Sequence, residues 1–395
     1  MEAYKEDDLI VLNLPKQIDS MNSKDVEDEI AKAIEPYAGR NICLDASETT
    51  YISSSGLRVL LRLEKKLKKK LSLRNVSQEV NEIFSITGFS EILSIRKKER
   101  EVSVDGCEVI GKGAYGTVYR LEQDTVVKVF NKGKDSLPVI EQEQKTARQA
   151  FVKGLPTAIP FDIVRVGDQY GVVYEMIDAH NFNELVVKNP SSLKKLIPLF
   201  VSFLHSIHIL EADPGEFSDF RQQYLDNLDA VSAILGEEST SKLRTLLKKM
   251  PQDKHLVHGD TQFKNIMLSD NEVRVIDMDT LGVGDPVFEF AAFFVAYSAF
   301  YEVDPKSQTE FLGIDKDTAA SIFSLTLKTY LKDRPELLES ALTKIRLLGY
   351  LRYIIVSAIE LKFDDTINRK RILFAKDAIS DLVTMVSDLR LLSKG

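Results

Sequence analysis

Tryptophan is absent, cysteine appears only twice, and no apolar run approaches the roughly 20 residues that a membrane-crossing helix needs. No membrane span is therefore expected. Cys43 and Cys107 form neither a metal-ligand spacing nor an extracellular disulfide framework, and are read as reduced thiols of a cytoplasmic protein. The opening MEAYKEDDLIVLNL lacks the positive start and apolar centre of a signal peptide, so export is not expected. A basic excess is missing too: 52 Lys and Arg face 60 Asp and Glu, and the net charge of −8 argues against a nucleic-acid binder. Internal repeats and low-complexity tracts are also lacking. What is present, 395 residues with 44% apolar and 28% charged side chains, describes a globular chain of two or three domains.

The first hundred residues alternate strand and helix signals. Leu9 to Leu14 and Asn41 to Asp45 read as strands; between them Asn22 caps a helix with Val26, Ile30, Ala33 and Ile34 on one face. A helix from Gly56 to Lys70 turns Leu60, Leu63 and Leu67 inward and Arg62, Lys65, Lys66 and Lys69 outward. Its lysines are read as a solvated face rather than a nucleic-acid or membrane patch. Leu71 to Asn75 is a further strand, and Val80, Ile83 and Phe84 mark another helix, giving a small α/β layer domain.

Ser53, Ser54 and Ser55 stand just before the helix at Gly56. Hydroxyls there cap free amides, and helix N-termini also attract anions, so position alone leaves a cap and a phosphate site both open. The stretch LDASETTYISSSGLRVLLRL resembles the STAS domain, the family of anti-sigma-factor antagonists and related sulfate-transporter modules. The resemblance implies a protein partner for this domain and makes Ser54 the match of the serine whose phosphorylation switches partner binding. Ser53 stands where the antagonists often carry aspartate.

The charged segment RKKEREVSVDG places a boundary near Arg100. In CEVIGKGAYGTVYRLEQDTVVKVF, two β-branched runs flank Gly111, Gly113 and Gly116, and the return strand carries Lys128. Glycines let backbone approach phosphate oxygens, and a lysine from the neighbouring strand supplies charge. A dinucleotide-binding fold would need a helix directly after the glycines; the strand TVYRL follows instead, as in a kinase nucleotide lobe. In the helix PVIEQEQKTARQAF, Glu143 shares a face with Ala147 and Ala150 and is preferred to Glu141 as the carboxylate orienting Lys128. The strand of QYGVVYEMIDAH then breaks near Glu175 to Ile177, where backbone groups of an adenine-binding hinge would sit. His205 and His208, three apart in an apolar helix from Ser191, are read as helix residues with ordinary partners rather than metal ligands.

The segment LVHGDTQFKNIMLSDNEVRVIDMD carries the chemistry. Its two short strands fold about Ser269, Asp270 and Asn271 into a hairpin that pairs Leu268 with Val273 and Ile266 with Val275. Asn265 and Asp277 then meet at the open end, and two oxygen donors suit Mg²⁺. Asp260, five residues before Asn265, can accept a proton from a hydroxyl. The spacing H-G-D-x-x-x-x-N with a following aspartate resembles the protein-kinase superfamily; Gly259 in place of arginine and GDPVFEFAAF downstream are most similar to the aminoglycoside phosphotransferase and choline kinase branch. That resemblance implies ATP as donor, Asp260 as base, Asn265 and Asp277 as Mg²⁺ ligands, Lys128 on the α and β phosphates, and His258 shaping the loop. Asp279 reads as a helper to the metal or a turn cap, and Asp285 and Glu289 as scaffold. Only six residues separate Asp277 from Gly284, too few for a peptide-docking activation segment, which favours a small hydroxyl-bearing acceptor.

The expected architecture is an α/β STAS-like domain at 1–100 joined to an α+β, two-lobed kinase-like domain, with lobes at 101–178 and 179–395. The expected function is ATP-dependent phosphotransfer to a hydroxyl under STAS-like regulation. Two alternatives stand beside it: a kinase that phosphorylates Ser54 of an STAS domain in cis or trans, and a non-catalytic nucleotide-binding regulator acting through STAS-partner binding.

Overall fold

The computed structural model describes the chain except at positions 2, 7–8, 38, 68–70, 114–115, 132–136, 214, 270, 361–365 and 394–395. Lys69 and Asp270, named above for an outward face and a turn, lie outside the described residues. The contacts divide into two compact units, Met1–Ser103 with Val164–Gly167, and Val104–Ile163 with Asp168–Gly395.

The first unit is built on a five-stranded sheet in the order Ala3–Glu6, Leu9–Asn13, Asn41–Asp45, Ser72–Val76, Ser94–Lys97. The first pair is antiparallel and the remaining pairs are parallel. Parallel strands need helical crossovers, and the helices Ser23–Ile34, Ser54–Leu67 and Gln78–Ile86 supply them. Ile10, Leu12, Leu44, Leu60, Leu73 and Phe84 are buried together in the core that results.

Two local details differ from the sequence reading. Asn22 occupies the N-cap position, but its side chain turns backward: Oδ1 accepts the Asp19 N–H at 2.9 Å and Nδ2 donates to the Gln17 carbonyl at 2.8 Å. The helix expected at Gly56 begins at Ser54, because the Ser53 hydroxyl accepts the N–H groups of Ser55 and Gly56 at 3.2 and 3.4 Å.

In the second unit, Gln169–Glu175, Thr125–Phe130, Gly116–Arg120 and Val109–Lys112 lie side by side in that order, the last three joined as successive antiparallel pairs. The helix Leu137–Val152 packs Leu137 and Ile140 against Phe130, Tyr170 and Val172 of this sheet. The rest of the unit is largely helical and surrounds an aromatic core in which the rings of Phe200 and Phe263 meet edge to face at 5.2 Å. The apolar helix Leu193–His208 starts after a 3₁₀ turn at Pro190–Ser192, later than the expected Ser191. The helix Val287–Phe294 widens into a π-helical turn at Val295–Ala299, and Tyr297 within it accepts the Phe263 N–H at 2.8 Å. Among the described residues no helix is long and apolar enough to cross a membrane.

Leu44 is fully buried on a central strand. Leu44→Ala is expected to lower the unfolding free energy of the N-terminal unit by about 2–5 kcal/mol, read from urea denaturation of the full chain.

Candidate active site

Lys128 projects from the strand Thr125–Phe130 into a gap that burial alone would make hostile to an ammonium group. Two carboxylates compensate: Nζ lies 2.8 Å from Glu143 Oε1 and 2.8 Å from Asp277 Oδ1. Burial pulls the Lys128 pKa down, but Asp277 and Glu143 overcome it and hold the ammonium well above its usual range. Glu143 is buried on the inner face of the helix Leu137–Val152, whereas Glu141 is exposed. The lysine therefore links strand, helix and hairpin.

The glycines differ in what demands them. A Cβ at Gly116 would fall 2.4 Å from the Val129 carbonyl oxygen, so the paired strand itself excludes a side chain there. At Gly111 and Gly113 it would meet nothing nearer than 3.7 and 3.9 Å, and no internal contact requires glycine. The loop is closed by the Gly113 N–H donating to the Gly116 carbonyl at 2.9 Å. At the expected hinge, the Glu175 side chain is engaged by the Ile159 N–H and by Arg274, each at 3.3 Å, and Ile177 is buried. Glu175 also donates its own N–H to the Ile159 carbonyl, and Met176 donates to Asp124.

The hairpin has the expected register, with Ile266 opposite Val275 and Leu268 opposite Val273. Asn271 takes a left-handed φ of +68° at its turn. The ladder continues as the Ile276 N–H donates to the Asn265 carbonyl at 3.0 Å, so Ile276 stands opposite Asn265; Asp277, expected to meet it there, lies one residue beyond. Their side chains have separate protein partners. Asn265 Nδ2 donates to Asp260 Oδ2 at 3.0 Å, while Asp277 turns toward Lys128 from a left-handed backbone at φ +69°. That conformation is uncommon away from glycine and re-aims the carboxylate as the strand ends.

The loop holding Asp260 is fixed from beneath. Glu289, on the helix Val287–Phe294 and 1% exposed, accepts the His258 N–H at 2.8 Å, the Gly259 N–H at 3.2 Å and the Thr261 hydroxyl at 2.8 Å. Burial pushes its pKa up, but the neighbouring His208 and His258 and the Thr261 hydroxyl reverse this and hold it at about 2. His258 is fully buried; its Nδ1 accepts the Asp260 N–H at 3.2 Å and its carbonyl accepts the Thr280 hydroxyl at 2.7 Å. Its contacts are with the loop itself, and they shape the turn before Asp260. Burial raises the pKa of Asp260, opposed by His258, by Arg352 and by the hydrogen bond from Gln262.

Arg352, Gln262, Thr261 and Thr280 are site residues that the motifs did not identify. Nothing in the sequence singles out Arg352, because the helix Leu338–Ile355 also carries Lys344 and Arg346 among its apolar residues. His205 stacks on Tyr330 with ring centroids 4.2 Å apart, and His208 Nδ1 lies 2.9 Å from the same hydroxyl. Ser54 belongs to the other unit, exposed in the first turn of its helix.

Asn265, Asp277 and Asp279 offer hard oxygen donors that fit Mg²⁺. Among the described residues, no group of three or more His, Cys, Asp and Glu is arranged to hold a metal by itself. An amide and one or two carboxylates are the set Mg²⁺ uses when substrate phosphates and water complete its shell. Asp279 keeps an exposed edge, but the protein packed around its carboxyl group and then the neighbouring Asp277 push its pKa up to about 7, toward the neutral form.

Glu289 titrates from an ordinary value of 4.5 to about 2 on folding, which corresponds to about 3 kcal/mol of stability. A depressed carboxyl pKa stabilises above the unfolded value, so this contribution is complete above pH 4.5 and disappears as pH falls toward 2. Glu289→Gln is expected to flatten the acid limb of stability against pH in that window, measured by denaturant midpoints.

Two family models cover most of the chain. The STAS domain model matches residues 1–102 and the phosphotransferase enzyme family model matches residues 106–313. Residues of the first unit are 33% identical over 94 residues to the putative anti-sigma factor antagonist BtrV of Bordetella bronchiseptica, spanning 23% of this chain and 80% of that one. They are 28% identical over 101 residues to the anti-sigma-B factor antagonist of Bacillus subtilis, spanning 25% of this chain and 91% of that one. A crystal structure of a thermostable mutant of aminoglycoside phosphotransferase APH(4)-Ia, in ternary complex with ADP and hygromycin B, shares the fold. It superposes with a TM-score of 0.50 at 15% identity, covering 77% of this chain and 97% of that one. With its family model spanning more than half of the sequence, this chain belongs to the phosphotransferase enzyme family and carries an STAS domain at its N-terminus.

Proposed function

We propose that this protein transfers the γ-phosphate of ATP, bound with Mg²⁺, to the hydroxyl of a small molecule in the cytoplasm. The STAS domain, taken as residues 1–100, regulates the kinase-like lobes at 101–178 and 179–395 or joins them to a protein partner. The observation that carries this reading is that one hairpin end positions two side-chain contacts, Lys128 with Asp277 and Asn265 with Asp260, joined by its backbone ladder. Lys128 meets Asp277, the ladder joins the 277 side of the hairpin to Asn265, and the Asn265 amide donates to Asp260.

Lys128 would contact the α and β phosphates, with Glu143 keeping it in place. Gly111, Gly113 and Gly116 would let the backbone approach them; the space at Gly111 and Gly113 is free of internal contacts that would explain glycine. Backbone groups between Glu175 and Ile177 would read the adenine. Asn265 and Asp277 would hold Mg²⁺, which when bound neutralises charge on the β and γ phosphates. Asp260 orients the acceptor hydroxyl and takes its proton as the new P–O bond forms and ADP leaves. Its raised pKa strengthens it as a base while leaving it a carboxylate-type acceptor. Catalysis then rests on positioning and electrostatics.

A second reading is favoured by one observation: Ser54 is exposed, while its neighbour Ser53 does the capping. A hydroxyl in that position is open to phosphorylation by this kinase in cis or trans.

Asp260→Asn is expected to lower transfer from labelled ATP by about 10²- to 10⁴-fold while nucleotide affinity, read by calorimetry with Mg²⁺, is retained. Unchanged transfer would remove Asp260 from the chemistry, and nucleotide binding without turnover on any acceptor would favour a non-catalytic regulator. Intact-mass measurement with ATP and Mg²⁺ separates the Ser54 reading: a phosphate on Ser54 that is lost in Asp260→Asn supports it, and one that persists excludes it.

A further inference from the structure

Position 259 cannot carry a side chain. Its φ is +80°, and a Cβ there would fall 2.5 Å from Cζ of Phe220. The positive charge beside the base arrives instead from 93 residues away: Arg352 Nη2 donates to the Gly259 carbonyl at 3.2 Å. The guanidinium is half-buried and close enough to Asp260 to favour its charged form.

Its direction of approach matters. The groups on the triphosphate side, Lys128, Glu143 and Asp277, come from the sheet, its helix and the hairpin. Arg352 comes from the helix Leu338–Ile355 of the helical lobe. An in-line transfer requires the acceptor oxygen to enter opposite the departing ADP, so the body of the acceptor extends away from the Lys128 side. A second cation, Lys264, extends from the same loop four residues past Asp260 and rests over the Phe311 ring at 3.8 Å.

Arginine has five N–H donors in a planar fork, and a bond to one carbonyl leaves most of that fork for a second acceptor. The matching groups are carboxylates and phosphates, which guanidinium binds in bidentate fashion. An ammonium-bearing acceptor would meet like charge at the same place. We propose that Arg352 determines acceptor specificity by binding an anionic group, so that the substrate is a small hydroxyl compound bearing a carboxylate or a phosphate. The inference rests on the phosphotransferase reading above. In the step it serves, the acceptor oxygen bonds to the γ-phosphorus, its proton passes to Asp260, and the bond to ADP breaks with its electron pair on the ADP oxygen.

The test uses the full chain with ATP and Mg²⁺ and five acceptor panels: hydroxy acids, sugar and polyol phosphates, neutral polyols, amino alcohols and aminoglycosides, followed by product mass. Asp260-dependent turnover concentrated in the hydroxy-acid or the phosphate panel is expected, and the productive panel identifies which anion is bound. For the best acceptor, replacing its anionic group by a neutral one, an amide for a carboxylate, should lower kcat/KM on the order of 10- to 100-fold. Arg352→Gln should raise KM by a similar factor with a smaller change in kcat, and Arg352→Lys should restore part of it. The neutral-analogue comparison needs only the unaltered protein, so it holds even where a variant folds poorly. Asp260-dependent turnover confined to neutral, amino-alcohol or aminoglycoside panels overturns the Arg352 inference and leaves the phosphotransferase reading intact; so does an unchanged KM in Arg352→Gln. Absence of Asp260-dependent transfer to every acceptor overturns the phosphotransferase reading itself.

Discussion

An ammonium group withdrawn from water is unfavourable unless opposite charge surrounds it, and removing one partner of such a buried pair leaves the other uncompensated. Lys128 is placed under that constraint, with carboxylates at 2.8 Å on two sides. Each carboxylate belongs to a different element, the helix Leu137–Val152 and the end of the hairpin. Satisfying one cation therefore adds a polar tie between three pieces of chain that also share apolar packing, Ala147 and Ala150 with Val275 and Met278, and Leu137 and Ile140 with Phe130. The same requirement explains why Glu143 rather than Glu141 faces inward, since the helix can bury only the acid that meets a charge. It also accounts for the left-handed backbone at Asp277, whose cost is offset where the carboxylate gains Lys128.

The loop holding Asp260 obeys a similar rule one layer deeper. The Gly259 peptide unit is held at both ends, its N–H by Glu289 and its carbonyl by Arg352, each at 3.2 Å. On the residue before it, Glu289 takes the His258 N–H and Thr280 donates to the His258 carbonyl. A backbone fixed by four such contacts holds Asp260 in a set position, the kind of pre-organisation on which electrostatic effects depend. Glycine is required at the centre of this clamp because Phe220 occupies the space a side chain would take.

Local patterns carried much of this into the sequence. The order of glycine loop, strand and lysine, the period that singles out Glu143, and the turn residues that set the hairpin register are all short-range signals, and short-range signals survive in one dimension. Glu289 was legible as scaffold because a carboxylate within FEFAAF has no solvent to face. What could not be read depends on distance or on competition. Arg352 reaches Gly259 across 93 residues, and nothing near either position announces the other. Asn22 has the composition of a cap, yet Asp19 and Gln17 offered its side chain better partners, so Ser53 caps its helix and Asn22 does not. The π-helical turn at Val295–Ala299 carries the Tyr297 hydroxyl that accepts the Phe263 N–H, a tertiary contact invisible in an apolar run.

Asp260, Asp277 and Asp279 together oppose this order. Burial raises the pKa of both Asp260 and Asp279, and the charge on Asp277 raises each further. Lys128 and Arg352 offset part of that repulsion by different routes, one through Asp277 and the other from the loop carbonyl of Gly259. The fold thus keeps three carboxylates close together at an electrostatic cost. A ligand that brings net positive charge to Asp277 and Asn265 relieves the repulsion only in the folded protein, and whatever binds the folded state alone stabilises it by about 2.7 kcal/mol at a hundred times its Kd. The repulsion among these carboxylates is what such a ligand would remove.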